Sequence, residues 1–336
     1  MAQKNRQFVL DQLPKGKLSI EHFRLTEAPI PSPADGEVLL RVRYVSLDAA
    51  NRAWMLGPTY RAALKAGDVM AGGALAEVVE SRSDGFKTGD LVIGDTGWRE
   101  YAAVPATALM KVKTREPLSH AVSIYGIAGL TAYFGLLECG RPRAGDTVVV
   151  SAAAGSVGSI VGQIARIKGC RVVGIAGGAE KCALLTSQLG FDAAVDYKRF
   201  PGNLMEFYSA LQAACGGGID VYFDNVGGET LDACLFGMKE HGRIAACGAV
   251  SRYDGAAPYG VQGTPAIISK RLTVRGFIVT DFFSQAAQAQ SDLEGWVSSG
   301  QLKVLEDIIN GFENLPAALV GLLAGENIGK RMVKVA

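Results

Sequence analysis

Two short stretches bring together residue types that bind nucleotide phosphates. Residues 151–158 read SAAAGSVG, follow the apolar run Val148, Val149, Val150 and open a helical pattern. Aligned to G-x-G-x-x-G, they place Ala153, Gly155 and Gly158 in the three glycine slots. The second glycine lets backbone approach a pyrophosphate, and the third lets the helix pack close to the strand. Alanine serves in the first slot provided its φ stays negative. The amides of the helix N-terminus then face the phosphates. By itself such a turn also fits a strand–helix junction that is merely rich in small residues.

The second stretch follows the next strand and reads Gly177, Gly178, Ala179, Glu180, Lys181. Dinucleotide sites that take NAD usually place Asp or Glu at that strand tip to bind the ribose hydroxyls. Here no acid stands at the tip, and Lys181 opens the next helix. A cation there suits a 2′-phosphate, which a carboxylate would repel. Glu180 serves the dipole of the same helix N-terminus. The expected ligand is therefore NADPH rather than NADH.

The elements that must position these turns alternate along the chain. Strand 147–150, helix 156–168, strand 171–175, a helix through EKCALLTSQLG, strand 192–197, a helix near 204–214 and strand 219–224 follow one another. Helix 229–240 and strands 243–246 and 272–279 complete the series. This rhythm implies an α/β doubly wound parallel sheet. Residues 1 to 120 instead read as short strands broken by glycine and aspartate, among them 37–47, 73–81, 90–94 and 98–105. That pattern fits a small barrel-like β domain. The tail ends in a short basic and apolar strand suited to return to that domain.

The 336 residues suggest two domains, and 49% hydrophobic residues suffice for sizeable cores. Basic and acidic side chains, 34 and 33, leave a net charge of +1, which argues against a nucleic-acid or anionic-membrane partner. Six cysteines lack tight spacing and the N-terminus lacks an apolar signal core, so reduced thiols in the cytoplasm are expected. There is no run of about 18 apolar residues that would span a membrane. His22, His120 and His241 share no i, i+4 spacing, and no metal site is expected.

Several longer motifs occur in order: SLDAANRAWM, GWREYA, GLTAYFGL, AAAGSVGSIVGQIARIKGCRVVGIAGGAEKC, LGFDAAVDYK, DVYFDNVGGE, ACGAVSRY and GENIGKRMVKV. Through them nearly the whole chain resembles the zinc-independent medium-chain dehydrogenase/reductases. Within that group it is similar to the leukotriene hydroxydehydrogenase and prostaglandin reductase family, with its bacterial curcumin reductases and plant alkenal double-bond reductases. The resemblance implies a GroES-like β-barrel domain at 1–122 with 300–336, and a Rossmann domain at 123–299. It implies NADPH contacts at Asn51, Gly155, Ser156, Val157, Gly158, Lys181, Tyr197 and Asn225. They continue through Cys247, Gly248, Ala249, Val250, Ser251, Arg252 and Tyr253, then Phe277, Ile278, Val279 and Asn327. Leu47 and Asp48 stand near where zinc-dependent relatives keep a cysteine ligand, and the G-H-E motif and four-cysteine lobe of those relatives are missing.

The implied reaction is reduction of the activated C=C bond of α,β-unsaturated aldehydes or ketones. Hydride reaches the β-carbon, and a donor aimed at the enolate oxygen stabilises the transition state. The resemblance puts Tyr253 near that oxygen, with Tyr60 as a second pocket residue. Ala62 and Ala63 depart from the prolines common after that tyrosine. Pocket walls are expected from loops 59–70, 251–265 and 280–290. Quinone reduction with NADPH, or NADPH binding without catalysis, are the alternatives. The apolar edge strand LTVRGFIV suggests a homodimer.

Overall fold

Alternating β-branched residues organise the first part of the chain. In β3 (Glu37–Ser46), Val38, Leu40 and Val42 are fully buried on one face, as the two-residue period of a strand dictates. The computed structural model describes residues 4–113, 116–255, 257 and 259–335. β1 (Lys4–Leu10) and β2 (Phe23–Pro29) form an antiparallel pair. β3 pairs antiparallel with β4 (Gly73–Ser81) and β6 (Tyr101–Pro105), while β4 carries β5 (Leu91–Asp95) and then β7 (Met110–Lys111). The short helix α1 (Ala50–Ala53) follows β3. Trp98, fully buried between Phe8 and Phe23, fills the core of this sheet.

The second region begins with α2 (Ile127–Phe134), prolonged by a π-helical turn at Gly135–Gly140. There follow β8 (Thr147–Ser151), α3 (Ser156–Ile167), β9 (Arg171–Ala176), α4 (Ala179–Gln188) and β10 (Ala193–Asp196). The winding continues with α5 (Leu204–Cys215), β11 (Ile219–Asp224), α6 (Gly228–Gly237), β12 (Met238–Ala246), α7 (Thr264–Ser269) and β13 (Thr273–Gly276), closed by α8 (Ala286–Ser298). All six strands run parallel in the order β10-β9-β8-β11-β12-β13. This is the doubly wound Rossmann order, whose direction of growth reverses between β8 and β11. Val148, Val149 and Val150 are all fully buried, because helices cover both faces of such a sheet.

The chain then returns to the first region with β14 (Glu306–Asn310), α9 (Leu315–Leu323) and β15 (Lys330–Lys334). β15 pairs antiparallel with β3, as the basic and apolar tail suggested. Two compact units result: Met1–Ser123, Tyr253–Gly255 and Glu306–Ala336 in one, Ile124–Arg252 and Ala256–Leu305 in the other.

Two expected elements end three residues early. The strand expected to reach residue 279 stops at Gly276. Phe277 leaves it to pack edge-on to Phe223 and Phe282, with ring centroids 6.3 and 6.5 Å away. The helix expected over 229–240 ends at Gly237, and Met238 already belongs to β12, where its side chain enters the core with Ile219 and Leu235.

Candidate functional site

The turn after β8 is built by close approach. A Cβ on Gly158 would lie 2.4 Å from the Ala152 carbonyl oxygen and 2.9 Å from Ala153 Cα, so only glycine lets α3 sit this near the strand end. Gly155 is the N-cap of α3, and a Cβ there would lie 3.1 Å from the same oxygen. The left-handed torsion falls on Ala152, at φ 47°, and not on Ala153 in the first slot. Ala153 instead donates its N–H to Ile175 at 3.0 Å, tying the turn to β9. Ser156 Oγ is buried with no hydrogen-bond partner among the described residues. A buried orphan hydroxyl is costly, and at a helix N-terminus it suits a phosphate oxygen. Val157 is the next residue of this first helical turn. The turn therefore fits the diphosphate of a dinucleotide.

The turn after β9 has a different construction. Gly178, N-cap of α4, takes φ 98° and ψ 150° and donates its N–H to Asp196 Oδ1 at 2.8 Å. Asp196 Oδ1 also accepts the N–H of Lys198, so this carboxylate is engaged with backbone. A Cβ on Gly177 would lie 2.8 Å from Lys198 Cε and 3.3 Å from the Tyr197 hydroxyl. Lys198 and Tyr197 thus lie across the turn from which α4, with Glu180 and Lys181 in its first turn, departs. A lysine and a phenol against Gly177, with a second lysine in the first turn of α4, suit a phosphate monoester.

The loops after β11 and β12 are stitched to each other. Asn225 donates its backbone N–H to Ser151 Oγ at 2.9 Å and its side-chain amide to the Ser151 carbonyl at 2.7 Å. Cys247 and Gly248 both donate to the Asp224 carbonyl, Val250 to Asn225, and Ser251 to Val226 through its N–H and, at 2.6 Å, its hydroxyl. Arg252 donates to Ala249. Beneath them Asp224 Oδ1 accepts from the Tyr222 hydroxyl at 2.7 Å and from the N–H groups of Gly227 and Val226 at 2.8 and 2.9 Å. Burial nonetheless raises the Asp224 pKa above the usual carboxylate range. Within this unit the structure thus joins 155–158, Asn225 and 247–252 around the tip of β8. Phe277 is half-buried, Ile278 exposed and Val279 buried at the end of β13.

In the first unit, Asn51 is buried and spends its amide locally. Its Oδ1 accepts the Asp48 N–H at 2.8 Å, and its Nδ2 donates to the Ala71 carbonyl at 3.1 Å. Buried Lys330 forms an ion pair with Asp48 and donates to the Leu47 carbonyl at 2.9 Å. A fixed ammonium thus occupies the neighbourhood of Leu47 and Asp48, which opposes a divalent cation there. Among the described residues no group of three His, Cys, Asp or Glu side chains could hold a metal ion.

Tyr60 accepts a hydrogen bond from Trp54 Nε1 at 3.2 Å. Desolvation of its hydroxyl raises its pKa, with Asp48 and Tyr253 adding to the rise against the Trp54 bond and Arg61, so it stays a neutral donor. Tyr253 is half-buried in the same unit. Asn327 donates Nδ2 to the Gly329 carbonyl at 2.9 Å and stands beyond the end of α9, in the loop to β15. Ala256 and Pro258, in the expected pocket loop 251–265, lie outside the described residues.

Burial pushes all six thiols up, Cys247 to about 12 and Cys170 and Cys215 to about 11, so none is poised as a thiolate. A cavity of about 270 Å³ lined by Cys139, Arg141, Arg143, Arg243, Thr273 and Arg275 lies at the amino ends of the strands, opposite the nucleotide turn. No expected site residue lines it.

Sequence reasoning passed over Ser151, Asp224, Asp196 and Lys198. Ser151 and Asp224 stand inside quoted motifs, at the last positions of β8 and β11, where carboxyl-end residues of a doubly wound sheet reach the ligand crevice. That position was the available signal.

Known proteins resemble this chain along nearly all of its length. Residues 6–112 match the model of an N-terminal domain of oxidoreductases, and residues 156–294 that of zinc-binding dehydrogenases. The chain is 40% identical to the NADPH-dependent curcumin reductase of Escherichia coli (strain K12), over 99% of this chain and 98% of that protein. It is 44% identical to prostaglandin reductase 1 of Bos taurus, over 93% of each. The crystal structure of CurA from Vibrio vulnificus in complex with NADPH superposes with a TM-score of 0.92 at 39% identity, covering 98% of this chain and 99% of that one.

Proposed function

The chain belongs to the zinc-independent medium-chain dehydrogenase/reductases of the leukotriene hydroxydehydrogenase and prostaglandin reductase family, and from that premise we propose how its residues carry out NADPH-dependent reduction of the activated C=C bond of α,β-unsaturated aldehydes and ketones. The backbone of Gly155, Ser156, Val157 and Gly158, with the Ser156 hydroxyl, holds the cofactor diphosphate. Lys181 and Tyr197 hold the 2′-phosphate. Asn225 and residues 247–252 line the cofactor beyond the diphosphate, with Phe277, Ile278, Val279, Asn51 and Asn327 as further contacts. When bound, the reduced nicotinamide supplies a hydride.

The chain's own residues then orient the substrate and accommodate charge. As the β-carbon becomes saturated, negative charge gathers on the carbonyl oxygen. Tyr253 donates a hydrogen bond to that oxygen, which a neutral phenol can do at pH 7. Tyr60 lines the same pocket as a neutral phenol, able to donate at pH 7. Solvent delivers the proton to the α-carbon, completing the two-electron reduction.

The full-length likeness to C=C reductases carries this reading, and the orphaned Ser156 hydroxyl is its anchor in this structure. The test is NADPH oxidation with a panel of 2-alkenals, aryl enones, prostaglandin-like enones and quinones, in wild type and Tyr253→Phe. The variant should lose about 10²-fold in kcat on an enone and keep its NADPH affinity. Unchanged turnover removes Tyr253 from the mechanism, and activity confined to quinones replaces the reaction.

We further propose a homodimer formed along β13, whose four residues are exposed at the sheet edge, Val274 at 48%. Unpaired strand edges of this kind tend to be covered. Light scattering that returns the mass of one chain excludes it. The six unpaired cysteines support the cytoplasm as the working compartment.

A further inference from the structure

Tyr253–Gly255 group with the first unit, although the chain on either side groups with the second. One side chain accounts for much of this. Arg52, in α1 directly after Asn51, is only 1% exposed. Its Nε donates to Asp254 Oδ1 at 3.3 Å and its Nη2 to the Gly16 carbonyl at 2.8 Å. The same Asp254 oxygen accepts the N–H of Leu18 at 2.7 Å. Gly255 completes the docking at φ 76°, where a Cβ would lie 2.8 Å from the Gly16 carbonyl carbon and 2.9 Å from Lys17 N. Asp254 and Gly255 therefore seat on residues 16–18 through one guanidinium, one carboxylate and one backbone contact.

Stability alone does not explain this arginine. Its Nη1 is buried with no partner among the described residues, and a buried ion pair with an unmet donor is a poor stabiliser beside a well-packed apolar side chain. A guanidinium, however, fixes the direction and register of its carboxylate through several rigid donors. The residue so fixed is the immediate neighbour of Tyr253, whose phenol is near enough to Tyr60 to bias its ionisation.

We propose that Arg52 and Asp254 form a latch that positions Tyr253, making Arg52 a positioning residue for the reduction; this rests on the reading of Tyr253 as the donor to the enolate oxygen. Misplacing a reacting group by about 1 Å can cost about 10²-fold in rate, so a looser latch should act on kcat while leaving cofactor affinity alone.

The experiment compares Arg52→Lys, Asp254→Asn, Tyr253→Phe and the double variant Arg52→Lys/Tyr253→Phe. Steady-state kinetics on an enone are read beside NADPH affinity and amide hydrogen exchange over residues 249–262. Arg52→Lys should lower kcat about tenfold or more, keep NADPH affinity, and raise exchange across 253–255. The double variant should lose no more than Tyr253→Phe alone, because both changes remove the same contribution. Additive losses, or exchange unchanged in Arg52→Lys, overturn the latch. Should Arg52→Lys fail to fold, Asp254→Asn, which keeps shape and removes charge, provides the same comparison. Raised exchange in Arg52→Lys with full turnover in Tyr253→Phe upholds the docking and overturns the donor reading instead.

Discussion

The two glycine turns that follow β8 and β9 use the same residue for opposite reasons. After β8 the glycines make room: a Cβ on Gly158 would collide with the backbone of Ala152 and Ala153. After β9, Gly178 has, apart from its chain neighbours, no atom of the described residues within 4 Å of its missing Cβ, yet takes φ 98°, which only glycine adopts without strain. The first turn is defined by close packing and by an orphan hydroxyl at Ser156, the second by torsion and by the Lys198 side chain beside it. In the proposed reading, one turn positions a diphosphate through proximity and the other selects a nucleotide through charge.

Gly158→Ala should break that contrast most strongly. The nearest neighbours of its Cβ are backbone, so the turn or α3 must move, and NADPH affinity should fall about 100-fold, near 2.8 kcal/mol. Isothermal titration checks this, and wild-type affinity would sink the argument from space. Lys181→Ala should come next, weakening NADPH about 30-fold through loss of a charge-assisted contact of about 2 kcal/mol while leaving NADH unaffected. Equal losses for the two cofactors would defeat the 2′-phosphate assignment. Gly178→Ala should be the mildest for binding: its cost of about 1–3 kcal/mol is backbone strain, seen as a melting temperature lower by a few degrees. A loss of affinity matching that of Gly158→Ala would show that both turns work through space.

The alternation of strands and helices was legible because burial leaves a period in the chain. The valine run of β8 and the alternating face of β3 announce themselves locally. Boundaries set by distant packing were not legible. Phe277 leaves its strand because Phe223 and Phe282 receive its ring, and Met238 leaves its helix for a core pocket beside Ile219. The site divides in the same way. Gly155, Gly158, Gly178 and Lys181 are readable from spacing, because a turn is a local object. Ser151 gains its meaning from Asn225, 74 residues later, and Arg52 from Asp254, 202 residues later.

By itself, then, the sequence determined the turns, the periods and the family to which the chain belongs. These depend on torsions and on side chains a few residues apart. Which turn glycine answers to space and which to torsion was decided by tertiary structure, as was the carboxylate that Arg52 holds. It also placed Lys330 beside Asp48 rather than in solvent. The physical reason is that contact energies belong to pairs of residues, and only the folded chain selects the pairs that meet.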